Sequence, residues 1–595
     1  MKTSAFSQTT TPMVRQYREL KSQHPGTLLF FRLGDFYELF FEDAVIGARE
    51  LQITLTARHK DSGDPMPMCG VPHHSAANYI AKLVRKGYRV AICEQTEEAS
   101  KTKKLVRREV VRVVTPGTPI DPQLLEPRES VYLGAVCASG ETVGAAFLDI
   151  STGEFRATQA SGPDAWARIV ADIESYAPRE LLFPASLGPL VRAGFANTPH
   201  TAPLPLQLSE TSEIQPNPTT PDVYAGATLT SVDDWVWQSE DCVSLLIKQF
   251  GARSLDGYGL TGKSEAIRAA GSCLRYAQET QRAGAAHISD IVYFEPQDHL
   301  VLDHITVRNL ELVEALGGAG VARSLLDVID ETVTGMGARL LRSWLLRPSI
   351  RRGEIEARHG AVAELHASHM RRDALRNLLK EVADIERLAG RLNLGSANPR
   401  DLQALRGSLG QVPRIREILS QCSSSLLQVL NDSTDELADV RELLESAIED
   451  DPPAKVSDGG VIRQGYSTEL DELRSLSRNA KQTIATLEAE ERARSGIGSL
   501  RIRYNNVFGY FIEVSKANSA RVPEDYERRQ TLANAERFTT TALKEWESKV
   551  LGAEERILQL ETEIFALICR QVAAETSRIQ ATARALACLD SVTSL

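Results

Sequence analysis

The segment FFRLGDFYELFFEDA (30–44) holds the residues best suited to chemistry on another molecule. Two apolar runs, LLFFRL (28–33) and FYELF (36–40), flank Gly34-Asp35. That is a hairpin pattern, with glycine supplying the positive φ at the first turn position. Strand side chains alternate faces, so Phe36, Glu38 and Phe40 share one face and Tyr37, Leu39 and Phe41 the other. An aromatic ring and a carboxylate then stand side by side, an apolar surface next to a hydrogen-bonding group. On residue types alone, a core Phe36 beside a surface Glu38 is the more economical account.

Other motifs invite chemistry and give less. GYGLTGKS (257–264) matches the phosphate-loop pattern G-x-x-x-x-G-K-[ST]. Such a loop needs a buried strand before it, yet SEDCVSLLIKQFG (239–251) reads as a helix. An exposed loop before a helix therefore fits Gly262, Lys263 and Ser264 better than a nucleotide hydrolase does. Asp149, at the end of a meander strand, resembles a ribonuclease-H-type ligand. Only Glu154 and Asp172 could join it, too few carboxylates for a two-metal centre. His73 and His74 are adjacent and would point apart on a strand. No G-x-S-x-G elbow is present.

The elements that must position these residues fall into three stretches. Residues 1–116 alternate strand and helix signals, with a helix over 76–86 and a strand over 88–95. VVTPGTPIDP (113–122), rich in Pro, Gly and Thr, reads as a linker. Residues 131–159 read as a β-meander, followed by a helix over 164–176 and a strand over 180–183, with loop over 197–222. From about 230 helical periodicity dominates, with long segments at 264–283, 303–316, 335–347, 353–393 and 399–449. A break with an inserted strand follows near 451–466, and then a helix with Thr468 and Asp471 as its cap pair. Strand-like residues at 499–518 precede another long helix from about 540. An arm thus leaves the helical body, makes a small α/β insertion and returns.

At 595 residues the chain is too long for one core, and about four domains are expected. Ordinary composition (42% hydrophobic, 25% charged) excludes collagen-like and wholly disordered chains. No apolar run is long enough to span a membrane, and the N-terminus has no signal-peptide stretch. Eight scattered cysteines without a CxxC pair argue against a disulfide framework or zinc site and fit a reducing cytosol. The net charge of −11 speaks against a general nucleic-acid binder. Its distribution does not: residues 1–112 carry 18 Lys/Arg against 12 Asp/Glu, and KTKKLVRREVVR (101–112) has six basic residues to one acid. A local anionic partner or a solvated loop and edge strand would each account for that run.

Taken together, the motifs resemble the MutS family of DNA mismatch-repair proteins along the whole chain. GDFYELFFEDA resembles the family's Phe-x-Glu hairpin. Further matches in order are PMPMCGVPHHSAANYIAKLV (65–84), VAICEQ (90–95), RREVVRVVTPGT (107–118) and LDISTGEF (148–155). LDHITVRNLEL (302–312), SLLDVIDETVTGMGARLLRSWLLRP (324–348), DGGVIRQGY (458–466), NNVFGYFIEVSKAN (505–518) and RRQTLANAERF (528–538) follow.

The resemblance implies a multidomain fold. Its parts are an α/β mismatch-recognition domain over 1–116, a linker over 117–129, and an α/β, ribonuclease-H-like connector over 130–250. A long-helix, all-α lever core would follow over 251–451, then an inserted α/β clamp over 452–520 and the returning lever helix over 521–595. It implies that Phe36 wedges into the minor groove at a mispaired base, where unstacking costs least. Glu38 would hydrogen-bond the displaced base and, among phosphates, disfavour matched DNA. Arg58, Lys60, Arg107 and Arg108, with Arg492, Arg494, Arg501 and Asn505 of the clamp, are the implied backbone contacts. The implied partner is duplex DNA with mismatches or small loops, in a cytoplasmic, nucleoid-associated setting. The family's ATPase domain, with ATP and Mg2+, homodimerisation and a MutL-type partner, is expected beyond this span. No catalytic residue, metal or cofactor is expected within it. A relative acting on other DNA structures is the alternative within the family.

Overall fold

The structure, a computed structural model, describes residues 11–58, 65–96, 107–196, 223–224, 226–295, 298–317, 323–505, 509–523, 525–531 and 535–595. The loop expected at 197–222 lies outside them. Two compact units result: residues 1–396, 411–436 and 575–595 form one, and 397–410 with 437–574 form the other.

The first unit opens with α1 (Pro12–Gln23), β1 (Thr27–Leu33), β2 (Phe36–Phe40), α2 (Phe41–Leu51), β3 (Thr56–Arg58), β4 (Met66–Pro72), α3 (Ala76–Arg85), β5 (Arg89–Gln95) and β6 (Arg108–Val114). The strands form one sheet in the order β3-β4-β2-β1-β5-β6. Both faces are covered, so the middle of β1 is an unbroken apolar run rather than an alternation. Tyr37 and Leu39 pack with Phe30, Ile46 and Leu83 on the α2/α3 side. Phe31 and Phe40 pack with Val14 and Tyr17 of α1 on the other. Buried Asp43 locks α1 to the sheet. It accepts hydrogen bonds from Leu29 N (3.0 Å) and the Tyr17 hydroxyl (2.9 Å), and pairs with Lys21 at 2.6 Å.

A second sheet is built from β7 (Leu133–Ser139), β8 (Thr142–Asp149), β9 (Glu154–Ser161), β10 (Glu180–Pro184), β11 (Val223–Tyr224), β12 (Ala227–Val232) and β13 (Val292–Tyr293), with α4 (Ala165–Tyr176), α5 (Gly188–Ala196), α6 (Ser239–Phe250) and α7 (Ser264–Gln281). Its order is β11-β12-β10-β7-β8-β9-β13. Here the sequence reading ended the module too early, at 250. Small residues of α7 (Ala266, Ala269, Ala270) pack directly on Ala135, Cys137 and Ala146, and β13 joins the sheet edge. Nor is 113–122 a solvated linker. Residues 113–120 are buried, Gly117 N donates to Glu180 (3.1 Å), and Gln281 donates to the Thr118 carbonyl (2.8 Å).

The helical remainder comprises α8 (His304–Asn309), α9 (Leu325–Ile329), α10 (Gly335–Leu346), α11 (Arg352–Ala367), α12 (His369–Leu379), α13 (Ile385–Asn393), α14 (Pro399–Leu409), α15 (Val412–Leu419), α16 (Ser425–Ser433), α17 (Ala438–Ala447), α18 (Thr468–Ser495), α19 (Thr541–Ala574) and α20 (Thr576–Ser594). The segments read as continuous over 353–393 and 399–449 are broken into shorter helices. Asp384, for instance, accepts from Arg387 N and starts α13. Helix 303–316 stops at Asn309. Within the first unit, buried Asp590 of α20 accepts from Val333 N, Thr334 N and Thr334 Oγ1, fixing the start of α10.

In the second unit α18 and α19 pack side by side. Buried Glu561 of α19 accepts from Gly460 N (2.8 Å) and Val461 N (3.2 Å) and pairs with Arg474 of α18. Between these helices lie β14 (Arg501–Asn505), β15 (Gly509–Ser515), β16 (Glu527–Thr531) and β17 (Ala535–Thr539), ordered β14-β15-β17-β16. The sheet therefore runs past residue 520, the expected end of the insertion, because Phe538 completes its core with Ile512 and Val514. The strand expected near 451–466 is one isolated bridge, Ile448–Ile462. Helix α18 is capped by Ser467, whose hydroxyl accepts from Leu470 N, rather than by Thr468. Asp471 accepts from Gly465 N instead.

Candidate nucleic-acid interface

The residues singled out at 36–38 lie on the β1–β2 hairpin. Gly34 sits at φ +57°, where a β-carbon would be strained. The register pairs Leu33 with Phe36 and Phe31 with Glu38. On the other side β2 pairs with β4, Phe36 facing Pro72 and Glu38 facing Gly70. Phe36 and Glu38 thus lie on the α1 face, toward the turn of the hairpin. Phe36 is 47% exposed, against 5% for Tyr37 and none for Leu39. Leaving that much aromatic surface in water costs free energy that folding alone does not recover.

Glu38 is the complement. One carboxylate oxygen, Oε2, is shielded from solvent and has no hydrogen-bond partner, while the Arg58 guanidinium stands 3.8 Å away. Burial pushes the Glu38 carboxyl up, and Arg58 opposes the shift. A β-carbon at Gly70 would come within 3.5 Å of Glu38 Cγ, so glycine keeps the flank open. The result is a desolvated carboxyl beside an exposed ring, both on one strand.

The remaining expected contacts divide. Arg58 lies beside Glu38. Arg107 is exposed and pairs with Glu109 at 2.7 Å. Arg108 is not a surface contact: it is buried, donates from Nε to the Arg32 carbonyl (2.7 Å), and covers the Phe31 ring at 5.0 Å. Its position on β6 points it inward. Lys60 lies outside the described residues.

In the second unit, Arg492 and Arg494 act as braces. Arg492 donates to the Leu500 carbonyl (2.7 Å) and pairs with Glu488. Arg494 pairs with Glu491 and Asp525 and lies over Tyr526. Arg501 is exposed on β14, and Asn505 ends that strand. Sequence reasoning missed Arg503 and Arg537, which share the outer face with Arg501 around Glu513. The alternation R-I-R in β14 was the signal available.

The other motifs resolve as structure. Helix α6 precedes 257–264, and the α7 amides of Glu265 and Ala266 donate to Gln159. Lys263 pairs with Glu295 at 3.0 Å and lies over Tyr293. No phosphate cradle remains. Asp149 accepts from Val131 N, Ser151 N and Ser151 Oγ. Glu154 pairs with Arg156 and accepts from the Tyr132 hydroxyl, and burial pushes Asp172 up to about 7. Among the described residues no group of three or more His, Cys, Asp or Glu could hold a metal. His73 and His74 form a 3-10 turn, not a strand. No described helix is long and apolar enough to cross a membrane.

Two α/β sheets, a helical body and an antiparallel sheet borne on paired helices define a multidomain protein. Its exposed chemistry sits on an N-terminal hairpin. Comparison with known families matches MutS domain I to residues 11–123, MutS domain II to 131–289 and MutS domain III to 305–595. Curated relatives named DNA mismatch repair protein MutS include those of Solibacter usitatus (48% identical, over 99% of this chain and 65% of that protein) and Symbiobacterium thermophilum (45%, over 98% and 64%). That of Myxococcus xanthus is 44% identical, over 98% and 62%. The chain belongs to the MutS family, and it spans 60–65% of the length of the curated relatives it matches.

Proposed function

We propose that this chain reads mismatched or unpaired bases in duplex DNA, with Phe36 as the wedge and Glu38 as the base-contacting carboxyl. The observation that carries this is the exposed ring beside a half-buried carboxyl, one of whose oxygens has no hydrogen-bond partner, on one face of a hairpin end. A wedge must part a base step, at a cost of a few kcal/mol, and the cost is lowest where pairing is already poor. Selection therefore rests on deformability rather than on a base code. Glu38, pushed toward its protonated form by burial, can donate to or accept from the edge of the displaced base. Against matched DNA it finds phosphates and no partner. Arg58 and Arg107, with Arg501, Arg503 and Arg537 on the second unit's sheet, supply sequence-independent attraction to the backbone.

The first-unit parts then act as the mismatch-reading domain, connector and core, and the second unit's sheet as a clamp carried on lever helices. ATP with Mg2+, a second copy and a MutL-type partner are expected of a full-length protein of this family. Mismatch reading is the share assigned to these residues. The Phe-x-Glu pair favours this over a relative acting on other DNA structures.

The test compares affinities for a G·T or unpaired-T duplex and for matched DNA. Wild type is expected to prefer the former, and Phe36→Ala to bind both alike. Full discrimination in Phe36→Ala would overturn the wedge assignment.

A further inference from the structure

Resting on that reading, we infer that a four-residue row behind the hairpin (His73, Tyr37, Arg32 and Glu94) positions the wedge, with the Tyr37–Glu94 hydrogen bond as its anchor. The need for an anchor follows from the register. Phe36 is the first residue of β2, directly after the turn, and its partner on β4 is Pro72. With the turn on one side of it, Phe36 lacks the further strand residues that would steady the residue that must bear load. A wedge that yields cannot part a base step.

Side-chain and turn contacts on the opposite face make good that loss. Tyr37, between Phe36 and Glu38, points away from both and donates its hydroxyl to Glu94 of β5. Arg32, cross-strand from Tyr37, lies over the Tyr37 ring at 5.6 Å, stands 3.8 Å from Glu94, and donates from Nε to the turn carbonyl of Gly34. His73 stacks obliquely on Tyr37 at 5.5 Å, with Nε2 4.0 Å from Glu94, and its backbone N donates to the Asp35 carbonyl at 2.8 Å. Burial and the Glu94 carboxylate push the Tyr37 phenol up, so it remains a donor.

The row ties both turn residues and the second residue of β2 to β5. Because strand side chains alternate, fixing Tyr37 inward fixes Phe36 and Glu38 outward together. These four are positioning residues: none needs to touch DNA.

The test uses the full 595-residue chain and duplexes with 2-aminopurine next to an unpaired T, alongside matched duplex. Tyr37→Phe keeps the ring and removes the hydroxyl. It is expected to lower the mismatch-to-match affinity ratio about three- to tenfold and to reduce the unstacking fluorescence, with matched affinity unchanged. Glu94→Ala should act alike, and Glu94→Gln, which keeps an accepting oxygen, should restore most of the ratio. An unchanged ratio in Tyr37→Phe, or equal loss on both duplexes, would overturn the inference. Phe36→Ala run in parallel separates the two claims, since retained discrimination there overturns the wedge itself.

Discussion

The hairpin end and the outer face of the second unit's sheet are both exposed, and they offer opposite things. At the hairpin the nearest charges, Glu38 and Arg58, nearly cancel, and the feature presented is a ring. On the sheet, Arg501 and the half-exposed Arg503 flank the carboxylate of Glu513, with Arg537 mostly buried over the Phe511 ring, and the feature presented is excess positive charge. Charge attracts any duplex, whereas a ring backed by a strand distinguishes duplexes by how easily they open. The overall charge of −11 describes neither surface.

The largest expected effect is at the ring. Phe36→Ala should erase mismatch preference, and Phe36→Leu, which keeps apolar bulk without a stacking face, should retain part of it. Equal ratios for the two variants in a competition assay would mean that the stacking face, and not apolar bulk, carries the discrimination.

Glu38 comes next. Glu38→Gln removes the charge and keeps the shape, so matched DNA should bind several-fold tighter while mismatch affinity changes little. Because burial raises the Glu38 carboxyl, the folded chain favours its protonated form. That stabilisation is present below the unfolded carboxyl's range and is lost as pH rises through the folded value. Protonation removes the same charge as Glu38→Gln does, so wild-type discrimination should weaken as pH falls through the carboxylate range, and the Glu38→Gln profile should be flat there. A pH-dependent Glu38→Gln profile would assign the titration to another group.

A smaller and differently shaped effect is expected on the sheet. Arg501→Ala with Arg503→Ala should weaken matched and mismatched duplexes alike and reduce the slope of log affinity against log salt by about two. A changed mismatch ratio would move part of the reading onto this unit and break the comparison.

Local rules made the hairpin legible from residue types: Gly34 at the turn and two-residue alternation put Phe36 and Glu38 on one face. Whether that face was open was not legible, because exposure depends on how far α1 reaches across the sheet. The same limit explains Arg108. Its place in a basic run suggested a surface, while the strand phase of β6 buries it against Phe31. Arg492 and Arg494 look alike in sequence to Arg501, yet they are taken up by carboxylates: Glu488 and Glu491, at helical i−4 and i−3 spacing on α18, were legible, whereas Asp525 was not. Helix periodicity found the long elements and missed the breaks at Ser368, where the backbone leaves the helical region, and at Asp384, where a single side-chain cap outweighs the continuing apolar pattern.

The smallest expected effect is at the motif that looked most like catalysis. Lys263 is partly exposed, and such a pair with Glu295 contributes no more than about 1 kcal/mol. Lys263→Ala should leave the melting temperature of the chain nearly unchanged and alter neither DNA affinity nor labelled-ATP retention. The α7 amides that a phosphate would need already donate to Gln159, and a helix rather than a strand leads into the loop. ATP binding by wild type that Lys263→Ala abolishes would restore the phosphate-loop reading. It would also add a third surface, selective for a nucleotide, to the two compared above.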